Sequence, residues 1–370
     1  MVKWCADKYR PHIAKSLTRE DRMTASNLVA ASAAATALLL SVGAASAQQT
    51  IRTATSWPGG VHLEQFAQGF SKQADALTGG KVKFQIFPAG TIGSPLKITE
   101  SVQKKVAQAG HTWPGYDWGI DKAAAIFGGY VGSPPAEALL HWIYAGGGID
   151  LWKQWRMEKF GIVGIPCGSH SDEIHMHSRK PIRTIEDLKG LKLRTSGAWA
   201  EVANNLGAST VILPGGEVYP ALERGVVDAI EWATPGINIG LGFHKVAKYI
   251  ILPGVHQPGA VLECVFDKAL WDSFDANTKT QIEAAAKMAT IESWMNINVM
   301  DVDALVKLKG EGVEFIRVDQ SYIDGVAKAT HEWEDKYIAA EGGWFKKVVE
   351  HQRAFVERWK PSHQYRSEFR

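Results

Sequence analysis

The chain has 370 residues, 45% hydrophobic and 22% charged, enough to bury a sizeable core, and its length points to about two domains. A net charge of +2 excludes the electrostatic footprint of a nucleic-acid binder and leaves no acidic tail. Fourteen Trp is a high count; aromatic walls in a ligand crevice are one use for them, and core and rim packing is the ordinary one.

The amino terminus reads as an address. Lys15, Arg19 and Arg22 precede an apolar run from Leu28 to Gly43, and Ala45-Ser46-Ala47 follows. A basic region, a short apolar stretch and a small-x-small site predict a secretory signal over residues 1–47, too short and Ala-rich for a good membrane anchor. Cleavage after Ala47 leaves a mature chain of roughly 323 residues starting at Gln48. Met23 is an alternative start, although it would strip off the basic region. Nothing after Ala47 reads as a membrane span, so a soluble, exported mature protein is expected. Cys167 and Cys264 remain in the mature chain. Export permits a disulfide, but spacing does not bring the two together, and two buried free thiols are the expectation.

Ile51 to Ser56 alternates as an opening strand and runs into the turn Trp57-Pro58-Gly59-Gly60. His62 to Leu77 is amphipathic, with Leu63, Phe66, Phe70, Ala74 and Leu77 on one stripe, and Gly79-Gly80 ends it. Val82 to Phe87 is a second strand, Leu96 to about Lys105 a helix, and Val106 to Thr112 a third strand. After Gly-rich connections and a helix from Ile149 to Phe160, Ile162 to Pro166 leads into a polar extended run, Gly168 to Arg179, that reads as a crossover.

The same plan then repeats. Leu191 and Leu193 alternate with Lys192 and Arg194, the period-2 pattern of a strand with one buried face. Ser196-Gly197 opens a helix, with the Ser196 hydroxyl as a cap, and Gly207 closes it. Val211 to Leu213 is the next strand, Gly215-Gly216 a break, Glu217 to Arg224 a helix ended by Gly225, and Val226 to Ile230 a strand. Two β-α-β-α-β units, one before and one after about residue 170, predict two α/β lobes with parallel strands. Arg194 and Glu231 fall at carboxyl ends of strands, where open α/β sheets bind ligands.

His256 to Phe266 is a β-rich stretch that returns the chain to the first lobe. Asn277 to Lys307 has no Pro or Gly and predicts a helix of some 45 Å, long enough to run under both lobes. Val313 to Val318 is a last strand before C-terminal helices. Several passages between lobes describe a clamshell with a hinge. The expected division is 48–170 plus about 258–285 for lobe I, and 171–257 plus about 300–370 for lobe II.

The block LRTSG…LPGGEVYPALERGVVDAIEW, preceded by Thr184-Ile185-Glu186-Asp187-Leu188-Lys189-Gly190, resembles the solute-binding proteins of TRAP transporters (DctP type). More narrowly, it is similar to the branch for keto acids, mannitol and chloroaromatic compounds. The likeness extends through Phe87-Pro88-Ala89-Gly90, Gly110 to Pro114, Gly242 to Tyr249 and Pro253 to Gly259. It implies a periplasmic receptor that closes two lobes on a small organic acid and delivers it to membrane subunits, with no catalysis. The family's long helix under both lobes agrees with Asn277 to Lys307.

A guanidinium offers two parallel donors that match a carboxylate. The resemblance gives Arg194 the grip on the ligand carboxylate; without it, an Arg on a half-exposed strand is usually a solvated surface charge. It also implies that Glu231 and the backbone carbonyl of Trp232 hold a metal ion beside the ligand, the alternative for Glu231 being a surface carboxylate. The family's Gln-Met-Gly-Gly-Trp aligns with Glu173-Ile174-His175-Met176-His177, so Glu173 replaces a neutral amide by a carboxylate. Two carboxylates and a bound anion favour Ca²⁺ over Na⁺. In a second reading the metal is lost and Glu173 contacts the ligand itself.

Trp113, Tyr116 and Trp118 follow the third strand and Trp57 the first, an aromatic wall that suits a small organic acid. His256 and Gln257 reach the ligand or lie in the hinge. His170, His175 and His177 suggest a transition-metal site, but no fourth ligand accompanies them, and polar residues on an exposed crossover are the expectation. The chain shows no G-x-S-x-G, H-E-x-x-H, Walker loop or G-x-G-x-x-G after a strand. The enzyme alternative is an exported metal-dependent hydrolase using Glu173, Glu231 and the crossover histidines. Trp344 to Trp359 carries an apolar stripe that serves a homodimer, as in some relatives of the family, or intramolecular docking.

Overall fold

Alternating and β-branched runs become two sheets, and what joins them sets the site. The computed structural model describes residues 48–365; the leader expected over residues 1–47 lies outside them. The strands are β1 (Gln49–Thr55), β2 (Val82–Phe87), β3 (Ala109–Thr112), β4 (Val163–His170), β5 (Met176–Ser178), β6 (Lys192–Arg194), β7 (Ser209–Val211), β8 (Ala229–Ile230), β9 (Tyr249–Leu252), β10 (Ala260–Phe266) and β11 (Glu314–Arg317). The first sheet has the order β2-β1-β3-β10-β4, and the second β11-β9-β5-β8-β6-β7. β1 runs parallel to β2 and β3, and β6 parallel to β7 and β8, as the two repeated units require.

The crossovers are antiparallel insertions. The chain leaves the first sheet at the end of β4 and enters the second at β5, which pairs antiparallel with β8 and β9. It returns from β9 to β10, which pairs antiparallel with β3 and β4. A third passage is the helix Ala276–Gly310, about 50 Å long. It packs on β4 and the helix Gly69–Leu77 at one end and on Pro235–Asn238 after β8 at the other. Its start is fixed by Asp275, whose carboxylate accepts from the Thr278 N–H at 2.6 Å.

Several local expectations are corrected. Ser196 occupies the N-cap position of the helix Gly197–Asn205, but its hydroxyl makes no capping bond. Gly215-Gly216 does not break the chain: the helix Gly215–Glu223 begins there, after Pro214. Cys167 and Cys264 are joined in a disulfide instead of standing as free thiols. The β4–β10 register slips between Leu262 and Glu263, so Cys167 is the extra residue of a bulge and is turned toward its neighbour strand. That meeting joins residues 97 apart in sequence, which no local pattern encodes.

The helix Gly343–Trp359 packs against helices Ala123–Gly128, Ala136–Ala145 and Gly148–Phe160, all from the segment before the crossover. Trp344, Phe345, Val348, Val349 and Phe355 are buried, so the apolar stripe is taken up within its own chain. Among the described residues no helix is long and apolar enough to cross a membrane.

Candidate functional site

Strand ends from both sheets converge on one cavity with an empty volume of about 420 Å³. Trp57 follows β1, and Trp113 and Tyr116 follow β3; Arg194 ends β6, and Glu231 and Trp232 follow β8. Glu173 comes from the crossover between β4 and β5, and Gln257 from the return crossover. The expected residues Arg194, Glu173, Tyr116, Trp113, Trp57, Trp232 and Glu231 are thus brought together. His256 lies against the two carboxylates.

Arg194 is 1% exposed and heavily constrained. Its Nη1 donates to the Glu231 carbonyl at 2.8 Å and reaches the Glu231 carboxylate at 3.3 Å. Nε and Nη2 donate to the Leu213 carbonyl at 3.3 and 3.0 Å. The guanidinium carbon lies 5.0 Å from the Trp232 ring centroid. These acceptors use at most four of five N–H groups, and Tyr116, at the cavity edge, is a further hydrogen-bond neighbour of the guanidinium.

The aromatic wall is a chain of contacts. The Trp57 indole N–H donates to His111 Nδ1 at 2.8 Å, and His111 Nε2 donates to the Cys167 carbonyl at 2.9 Å. His62 stacks flat on Trp57, with centroids 4.7 Å apart, and its Nδ1 accepts from the Trp232 indole at 3.3 Å. Trp113 donates to the Gly128 carbonyl at 2.8 Å and meets Tyr116 edge-on. A Cβ at Gly197, in the second unit, would approach the Trp113 ring to 2.6 Å, and Gly197 has φ +63°. Only glycine fits both demands. Burial, with Arg194 opposing it, pushes the Tyr116 hydroxyl up to about 12, so it remains a neutral donor.

His256 Nε2 stands 3.1 Å from one Glu173 oxygen and 3.8 Å from one Glu231 oxygen. Burial disfavours the imidazolium, but the two carboxylates outweigh it and raise its pKa to about 9. Burial raises Glu173 to about 7 against the pull of His256. Burial also works on Glu231, but His256 and Arg194 hold it below the usual carboxylate range. Each of the three offers a ligand atom, all within 4.8 Å of one another, and all three residues are buried. Convergent carboxylate donors beside a crevice fit a bridging cation. The other close group, His111 with Cys167 and Cys264, has both sulfurs committed to the disulfide.

The crossover histidines are buried, contrary to the exposed run expected: His170 ends the covered strand β4, and after the exposed Asp172 the chain is buried again from Glu173 to Ser178. They also diverge. His170 Nε2 faces Glu173 at 3.5 Å, His175 Nε2 meets the Tyr322 hydroxyl at 2.7 Å, and His177 meets Asn238 at 3.2 Å. His175 therefore turns its bulk away from the cavity. Trp118 does not line the cavity; its ring lies under the Lys122 ammonium at 3.9 Å. His62 is a cavity residue that the sequence reading treats only as the start of an amphipathic helix. Its position just after the Trp57-Pro58-Gly59-Gly60 turn was the available signal.

A profile of the family described as Bacterial extracellular solute-binding protein, family 7 matches residues 53–340. The monocarboxylate 2-oxoacid-binding periplasmic protein of Nostoc sp. (strain PCC 7120) is 28% identical over 304 residues, 82% of this chain and 83% of that one. A TRAP transporter solute-binding protein of Bordetella bronchiseptica RB50, a mixed-occupancy dimer with copurified calcium and picolinate, is 26% identical. It superposes with a TM-score of 0.81 over 86% of this chain and 94% of its own. The TRAP solute-binding protein of Pseudoalteromonas atlantica T6c, with bound sodium and pyruvate, is 27% identical with a TM-score of 0.81, over 87% and 100%. The two-lobed fold and the sequence resemblance are borne out, and the hydrolase alternative draws no support from these relatives.

Proposed function

We propose that this chain, which belongs to the bacterial extracellular solute-binding proteins of family 7, is the periplasmic receptor of a TRAP-type transporter. It captures a small organic acid, in the first place a 2-oxo monocarboxylate, and hands it to the membrane subunits without chemical turnover. The observation that carries this reading is Arg194: a fully buried guanidinium, preset by the Leu213 and Glu231 carbonyls, at the edge of a cavity closed by aromatic rings. A buried cation at the edge of a cavity is a receptor for an anion.

Arg194 takes the ligand carboxylate, and Tyr116 donates its hydroxyl proton to a ligand oxygen. Trp57, Trp113 and Trp232 exclude water around the short carbon skeleton, which strengthens the ion pair. Glu231, Glu173 and the Trp232 carbonyl hold a cation, Ca²⁺ or Na⁺ in the relatives' manner, that bridges protein and ligand; His256 supports them. The Nostoc relative supports the ligand class, and those of Bordetella and Pseudoalteromonas support a carboxylate held together with a cation. The lobes divide where the chain passes between the sheets, 48–170 with about 258–285 against 171–257 with about 300–342, and helix 343–359 goes with the first. Pairing of copies through that helix is left only its charged face.

Calorimetric titration of the mature protein with pyruvate and longer 2-oxo acids tests the reading. Saturable one-to-one binding with unchanged ligand on recovery is expected. A product peak, or no binding of any 2-oxo, hydroxy or aromatic carboxylate, would sink it.

A further inference from the structure

We infer that His256 Nε2 is itself a ligand of the bridging cation, so that the site takes a borderline divalent ion such as Mn²⁺, Co²⁺ or Zn²⁺ through one nitrogen and two carboxylates. This deepens the reading above and rests on it for the anion that the cation bridges. The crossover histidines, His170, His175 and His177, do not assemble a nitrogen-bearing site. The return crossover supplies one instead.

Spacing is the first reason. Ligand atoms about 2.0–2.2 Å from a common ion lie roughly 2.8–3.6 Å apart at tetrahedral or octahedral angles. His256 Nε2 stands 3.1 Å from Glu173 Oε2 and 3.8 Å from Glu231 Oε2. The three converge from three different segments, within 4.8 Å of one another, so a modest closing movement brings them onto one ion, and all are at least nine-tenths buried.

The far side of the imidazole is the second. Metal-bound histidines donate their other N–H to an acceptor that fixes tautomer and ring plane. His256 Nδ1 lies 3.2 Å from His175 Nδ1, and His175 Nε2 lies 2.7 Å from the Tyr322 hydroxyl. With His256 Nδ1–H donating to His175 and His175 Nε2–H donating to Tyr322, the relay is satisfied, and an ion that replaces the Nε2 proton meets that nitrogen beside the carboxylates. His175 thereby acquires a purpose as a positioning residue. His170 meets Glu173 from the opposite side at 3.5 Å while its Nδ1 bonds the Ser171 carbonyl at 2.9 Å.

Charge is the third. Glu173, Glu231 and a ligand carboxylate bring three negative charges against Arg194 alone. A divalent ion that displaces the His256 Nε2 proton balances them, whereas a monovalent ion leaves the charge balanced only if that proton stays on the ring, which takes the nitrogen out of coordination. Among divalent ions, imidazole nitrogen favours transition metals over Ca²⁺, which prefers six to eight oxygens.

The test uses the mature chain, stripped of metal with chelator and loaded separately with Na⁺, Ca²⁺, Mn²⁺ or Co²⁺. Metal affinity is measured by calorimetry, and imidazole coordination by electron spin-echo modulation of the Mn²⁺ form and the absorption spectrum of the Co²⁺ form. Co²⁺ is expected to bind at least tenfold more tightly than Ca²⁺, with one imidazole nitrogen coupled to Mn²⁺. Both signatures should vanish in His256→Gln, and the preference for Co²⁺ over Ca²⁺ should fall at least tenfold. The spectra of the unsubstituted protein decide the matter even where the variant fails to fold. Ca²⁺ binding tighter than Co²⁺, or a Mn²⁺ spectrum without nitrogen, overturns the inference; pyruvate binding that still needs Ca²⁺ would then leave the receptor reading standing. A nitrogen-coupled metal in a protein that binds no organic acid upholds the inference and sinks the receptor reading. Equal pyruvate binding with and without every cation overturns the metal site altogether.

Discussion

Arg194 donates through Nη1 to the backbone carbonyl of Glu231 at 2.8 Å, and the same nitrogen lies 3.3 Å from that residue's carboxylate. One residue thus both orients the guanidinium and competes with any ligand for it. The second carbonyl clamp, from Leu213 to Nε and Nη2, keeps the fork in place when the longer contact is given up. Preset donors lose little entropy on binding, which is why a flexible ammonium is a poor replacement.

Arg194→Ala is therefore expected to weaken organic-acid binding more than tenfold, at least about 1.4 kcal/mol. Arg194→Lys should recover little of it, because one point charge cannot serve two carbonyls and a ligand together. Calorimetry on both variants checks this. Wild-type affinity in either removes Arg194 as the anchor.

Trp113, from the first β-α-β-α-β unit, and Gly197, from the second, fit closely against each other. The indole is pinned by its bond to the Gly128 carbonyl, so it cannot yield to a methyl group placed 2.6 Å away. Gly197→Ala adds this clash to a left-handed backbone penalty of roughly 1–2 kcal/mol. Separated lobes do not meet the clash, so ligand affinity should fall by more than tenfold while unliganded thermal stability falls less. An affinity loss no larger than the stability loss would show that the ring and the glycine do not close on each other.

The disulfide Cys167–Cys264 closes a long loop, 97 residues, between adjacent strands that carry both crossovers. Constraining such a loop in the unfolded chain is worth about 2–5 kcal/mol. The Cys167→Ser, Cys264→Ser double variant should lose that much in denaturant unfolding, and reduction of the parent protein should reproduce it. Equal midpoints before and after reduction would contradict this.

What the sequence made legible was local. Alternation at Leu191 to Arg194 and glycines 207 and 225 bounded a unit whose strands were found in parallel register. Arg194 and Glu231 could be placed at strand ends before any contact was known. The long helix lacked any breaker, and Ala276–Gly310 exceeds the expected span by four residues. What escaped depends on segments far apart in the chain. Strand β9 is short, and its place is set by its neighbours β5 and β11. The disulfide needed the bulge at Cys167. His170, His175 and His177 looked exposed because a polar run ordinarily is, yet each found a buried partner across the interior. His256 was placed at a hinge or a ligand, whereas its neighbours are the two carboxylates.

Two of the buried histidines away from the carboxylates set an acid limit on the fold. Burial lowers His111 from 6.5 to about 4, opposed by its bond to the Cys167 carbonyl. Burial, reinforced by His244, lowers His177 from 6.5 to about 3. In both, the folded pKa lies below the unfolded value, so the unfolded chain takes up protons first as pH falls. Their contribution is fully present above about pH 6.5 and is lost as pH drops through 4 and then 3. For His111 the drop from 6.5 to about 4 corresponds to a loss on the order of 3 kcal/mol. The unfolding free energy should thus decline between pH 6.5 and 4, and His111 and His177 together account for close to two of the protons taken up on unfolding near pH 5. His177→Asn should reduce that uptake by about one proton whatever it does to absolute stability. An unchanged slope in this variant would mean that His177 is protonated in the folded protein, and that Asn238, whose amide bonds its ring at 3.2 Å, does not hold it neutral.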